Sequence, residues 1–81
     1  MESVGLEALE EAIRAAGSQA ELARRISSAE RPIKQGHVWN WLNRDGKVPA
    51  EVVRDIERET GVSRHRLRPD VFGPAPAQAA A

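Results

Sequence analysis

The sequence predicts an all-α domain, a small bundle of four to five helices. Apolar residues recur at helical spacing in four separate segments. Capping residues or a proline open three of these segments, and glycines follow three of them. No stretch alternates apolar and polar residues with the two-residue period of a half-buried strand.

Helix one is expected from about Gly5 to Ala16, with Leu6, Leu9 and Ile13 inward and Ala12 and Ala16 beside them. Ser3 is its expected N-cap, and Glu7, Glu10 and Glu11 lie toward the positive end of its dipole. Gly17 stops it, and Ser18 caps the next helix at once. Ser18 and Glu21 make the S-x-x-E pattern of a capping box. Helix two then runs from Gln19 to Ile26 and buries Leu22, Ala23 and Ile26; the small Ala23 lets another helix cross closely. Residues 27–34, SSAERPIK, form a connection, because Pro32 pushes Arg31 out of helical dihedrals. Helix three covers Gln35 to Asn43, with Val38, Trp41 and Leu42 as its apolar stripe. After the Asp45-Gly46 turn, Pro49 opens helix four, which buries Val52, Val53 and Ile56 and ends at Gly61. A shorter turn starts at Ser63 and stops before Pro69, with Val62, Leu67, Val71 and Phe72 packing back on the bundle. Residues 1–72 are therefore the folded domain, and residues 73–81, GPAPAQAAA, are an expected disordered Pro/Ala-rich tail.

Composition narrows the function. The chain has 81 residues and no cysteine, so neither a disulfide framework nor a thiolate metal site is expected. No apolar run approaches membrane-spanning length and no signal-peptide pattern opens the chain, which points to a soluble cytoplasmic protein without membrane contact. The two histidines have no metal-ligand spacing and no paired carboxylate joins them, so no metal, no cofactor and no enzymatic activity are expected. The formal net charge is zero, but it is segregated. Residues 1–21 hold five acids against one base, residues 22–48 hold six bases against two acids, and residues 49–81 balance five against five. A locally basic surface binds phosphate even when the total charge is neutral.

That basic segment contains helix three. At 100° per residue, Gly36, Asn40 and Asn43 fall opposite its apolar stripe, His37, Trp39 and Arg44 flank them, and Gln35 opens the helix. Asn and Gln bond adenine bidentately, a planar apolar group contacts the thymine methyl, and glycine lets the backbone approach a duplex. The expected base contacts are therefore Gln35, Gly36, His37, Trp39 and Asn40. The expected phosphate contacts are Gln19, Arg24, Arg31, Lys34, Asn43, Arg44 and Lys47.

The segments SQAELARRI, QGHVWNWLNR and VPAEVVRDIERETGVSRHRLRPDVFG together resemble the Cro-like, YdaS-type helix-turn-helix proteins of bacteria and their prophages. The resemblance covers about Leu6 to Gly73. It implies a lambda-repressor-like helix-turn-helix fold and a transcriptional regulator, with Gln35, Gly36, His37, Trp39 and Asn40 facing the major groove of double-stranded DNA. It also implies Gln19 at the backbone-contacting position that opens helix two. A homodimer on a two-fold site is expected, with Val62 to Phe72 as its surface. The other reading is an antitoxin-type module that binds a partner toxin, through the acidic first helix or the tail. One departure stands out: eight residues separate Ile26 from Gln35, where a tight helix-turn-helix uses about three or four. This insertion either lengthens helix two, lengthens helix three, or forms a wing that carries Arg31 and Lys34 to phosphate.

Overall fold

The computed structural model describes residues 5–74. Within them lie six helical segments and no strand: α1 (Leu6–Ala16), α2 (Gln19–Ile26), α3 (Gln35–Asn40), α4 (Ala50–Thr60), α5 (Arg64–Leu67) and α6 (Pro69–Phe72). α3 runs on without a break into a π-helical turn, Trp41–Asp45. The all-α expectation is met, with more segments than expected because the C-terminal turn splits in two at Arg68. Pro69 does not merely stop α5; it occupies the first position of α6, where its missing N–H costs nothing. Ser3 and the tail residues 75–81 lie outside the described residues.

One core joins the segments. α2 packs on α1, α3 and α4, and α5 packs on α1 and α4. Leu9, Leu22, Val38, Val48, Val52, Val53, Ile56 and Leu67 are its largest fully buried side chains. All but Val48, which lies in the turn before α4, come from the apolar sides of helices, and Ala8, Ala12, Ala16 and Ala23 are the small buried residues among them. α1 begins at Gly5 rather than at a side-chain cap. Gly5 has φ 73°, and a Cβ there would lie 2.0 Å from the Leu67 carbonyl oxygen, so only glycine lets α1 start against the end of α5.

The expected capping box of α2 forms by half. Ser18 Oγ accepts from the Glu21 N–H at 3.1 Å, but the Glu21 carboxylate turns to Arg24 and Arg25 instead of reaching back. Hydrogen bonds first from Arg24 and then from Arg25 hold the Glu21 carboxyl below its usual pKa.

The inserted segment lengthens neither helix. Ser28 and Arg31 exchange both backbone hydrogen bonds, at 3.1 and 3.2 Å, so the chain reverses over Ala29 and Glu30. Ser27 Oγ then accepts from the Ile33 N–H at 2.9 Å and closes the loop. Arg31 does not project from it. Its guanidinium donates to the Glu51 carbonyl at 2.9 Å and lies 3.7 Å from Asp55, which ties the loop to α4.

Arg68 is the one buried charged residue among those described. Its backbone, at φ −140° and ψ 72°, lies outside the helical region, which the residue before a proline avoids. Its guanidinium donates to the Val48 carbonyl at 2.6 Å and to both Asp70 carboxylate oxygens at 2.8 Å. This clamp holds the C-terminal segments against the turn that follows α3. Two further ties reinforce it: a bidentate Arg66–Glu11 pair to α1, and the Phe72 ring with the Arg54 and Arg64 guanidinium carbons at 5.8 and 5.9 Å from its centroid. Within the segment from Val62 to Phe72 expected as a dimer surface, Val62 and Leu67 are inside the core while Val71 faces solvent.

The clamp makes stability depend on pH. The Arg68 hydrogen bonds lower the Asp70 carboxyl from 3.8 to about 2. A depressed carboxyl stabilises the fold above its unfolded pKa and loses that contribution as pH falls through the folded value. Thermal melts of the wild type and Asp70→Asn are therefore expected to differ most at neutral pH and to converge between pH 4 and about pH 2. A gap that stays constant over that range would contradict the clamp.

Candidate nucleic-acid interface

Burial on α3 follows its stripe. Val38 and Trp41 are buried and Leu42 is partly buried, while Gln35, Gly36, His37 and Trp39 face solvent. Asn40 is intermediate, less open than its position opposite Val38 implies. Trp39 is 50% exposed, one of two large apolar side chains so placed among the described residues.

Gln35 and Gln19 each hold the first position of their helices, α3 and α2. The fold brings those two helix starts together, and Gln35 Nε2 donates to Gln19 Oε1 at 2.8 Å. The bond fixes both amides. It leaves Gln35 with one N–H and its own oxygen facing out, and leaves Gln19 with an NH2 group. The sequence reading placed both residues at the interface but did not foresee that they touch. Their positions at two adjacent helix starts were the available signal.

His37 is oriented as well. Its Nδ1 accepts from the Lys34 backbone N–H at 2.9 Å, which satisfies one of the donors at the start of α3. That role requires Nδ1 to be unprotonated, so Nε2 carries the hydrogen and is the ring's outward donor. Gly36 lies between these two residues in the first turn. A Cβ there would meet nothing within 4 Å, so nothing within the described fold requires glycine.

The expected phosphate contacts separate into two groups. Arg24 pairs with Glu21, Arg44 with Asp45 at 3.0 Å, and Arg31 with α4. Arg31 thus braces the inserted loop against α4. Asn43 turns back: its Nδ2 donates to the Trp39 carbonyl at 3.0 Å, beside the point where α3 widens into the π turn. Lys34 and Lys47 are exposed, and no ion pair within the described residues involves either. They bracket the segment, one immediately before α3 and one just beyond the π turn.

Among the described residues no group of three or more His, Cys, Asp or Glu could hold a metal ion. No helix there is long and apolar enough to cross a membrane.

Glycine in a helix costs roughly 0.5–1 kcal/mol relative to alanine. Because the space around Gly36 is open, Gly36→Ala is expected to raise unfolding stability by up to about that amount in urea titration. Destabilisation would mean that the fold itself demands the glycine.

No curated protein and no solved structure matches this sequence. A family model described as bacterial toxin YdaS matches residues 9–76, from within α1 to beyond α6. The chain belongs to the bacterial toxin YdaS family.

Proposed function

We propose that the protein is a sequence-specific transcriptional regulator of the helix-turn-helix type that lays α3 in the major groove of double-stranded DNA. The observation that carries this reading is the Gln19–Gln35 bond beside the exposed Gly36 and Trp39. It presents an oriented amide, an open backbone and an apolar ring on one helix face, the three kinds of group that base edges require. Gln19, Lys34 and Lys47 contact phosphates on either side and set the helix in register. The His37 Nε2–H donates to a base edge or to the phosphate beside it. Arg24 and Arg44 reach phosphate only by exchanging their carboxylate partners for it, and exposed ion pairs of this kind are weak enough to exchange. Regulation in this reading is by occlusion of a promoter, without catalysis, metal or cofactor. A homodimer in the bacterial cytoplasm supplies two such helices to a two-fold site.

A second reading has one specific observation behind it. An open groove of about 310 Å³ lies beside α3, lined by Pro32, Ile33, His37, Trp41, Pro49 and Val52 among others. The family is described as bacterial toxins, so this groove is a place where a chain belonging to a toxin–antitoxin pair takes its protein partner. Ile33→Glu separates the two readings, since it blocks the groove and leaves the Gln35 face intact.

Asn40→Ala is expected to weaken binding to an enriched duplex by roughly 1–3 kcal/mol with an unchanged circular dichroism spectrum. Lys34→Ala and Lys47→Ala are expected to lower the slope of log affinity against log salt by about 1 each and to weaken all duplexes alike. Fluorescence anisotropy at several salt concentrations checks both. Unchanged affinity in Asn40→Ala together with an unchanged salt slope in the lysine variants would sink the reading.

A further inference from the structure

The face around Gln35 carries more than a general capacity to read bases. We infer that the duplex it reads has an A·T core, with adenine opposite Gln35 and thymine beside Gly36 and Trp39. The inference rests on the DNA-binding reading above and names the sequence class that reading leaves open.

The argument starts from the Gln35 amide. One Nε2 hydrogen goes to Gln19 Oε1 at 2.8 Å. One hydrogen and the Oε1 acceptor remain, a donor–acceptor pair. In the major groove adenine presents an acceptor at N7 and a donor at N6, which is the complement. Guanine presents acceptors at both N7 and O6, so Oε1 would face O6 with lone pair against lone pair. Turning the amide over would cure that clash, but it would set Oε1 against Gln19 Oε1 unless the Gln19 amide turned with it, and that would put the Gln19 oxygen, in place of its NH2 group, toward the phosphate it is proposed to contact. Gln19 therefore acts as a positioning residue that fixes which purine Gln35 accepts.

The rest of the face agrees. Guanine is most often read by a guanidinium or ammonium group, and cytosine by a carboxylate. None of Gln35, Gly36, Trp39 and Asn40 is charged. The first guanidinium along the helix, Arg44, and the first carboxylate, Asp45, are paired with each other. Thymine differs from cytosine by a methyl group, and a methyl needs an apolar surface and room. The open space at Gly36 and the half-exposed Trp39 indole supply both.

The test is selection of bound duplexes from a random library with the whole chain, followed by anisotropy titration of the enriched duplex and its analogues. The expected core is A·T. There, 7-deazaadenine, which lacks N7, is expected to weaken binding about 5-fold or more at the position facing Gln35. Deoxyuridine in place of thymine, which removes only the methyl, is expected to weaken it about 4-fold. The Gln35→Ala variant should lose the 7-deazaadenine penalty and keep the deoxyuridine one, a pattern that mere structural damage would not produce. An enriched core of G·C pairs would overturn this inference and leave the DNA-binding reading standing. No enriched sequence at all would overturn both.

Discussion

Val38 decides what the rest of α3 does. It is fully buried where α3 packs on α2, and it brings Trp41 inward with it. A helix this short in a domain this small has one buried face, so the burial of Val38 commits Gln35, Gly36 and Trp39 to solvent. The same crossing brings the start of α3 to the start of α2, where Gln35 and Gln19 meet. Ala23 is the small residue on α2 that permits the close approach. The polar surface is thus a consequence of the apolar one, and a change at Val38 would be felt at Gln35 through the backbone.

α3 is held at both ends. At its start, Lys34 and His37 exchange a backbone-to-ring hydrogen bond and Gln35 is tied to Gln19. Beyond its π turn, Val48 is fully buried and its carbonyl accepts from Arg68. Arg68 is itself fixed by Asp70, so the C-terminal segments brace the helix that carries the candidate interface. In the proposed DNA-binding reading such support matters, because a loosely held helix would give up binding energy to ordering.

Much of this was legible in the sequence. Capping and stop residues located α1, α2 and α4, since Gly17, Ser18 and Gly61 act through local backbone geometry that the chain carries with it. The buried and exposed sides of α3 followed from periodicity alone. What the sequence did not disclose depends on contacts between distant residues. Gly5 reads as an ordinary helix start until Leu67 is seen against it. Arg68 is one of several arginines in its stretch of sequence, and nothing local tells that it turns inward to a carbonyl twenty positions away. The insertion offered three conformations on paper. The loop instead closes on itself with Arg31 reaching α4, a contact that local propensity does not encode. At the interface, residue types were readable but their hydrogen-bond state was not, and that state separates Gln35 from Asn43, which turns back on its own helix.

The most direct measurement is an NMR titration of the uniformly labelled chain with an enriched duplex. The two indole N–H signals separate buried Trp41 from half-exposed Trp39. The account predicts that the Trp39 indole and the side-chain amides of Gln19 and Gln35 shift together, while the Arg66 and Glu11 side of the molecule stays in place. A duplex that binds while the Trp39 indole and both glutamine amides remain unmoved would contradict it.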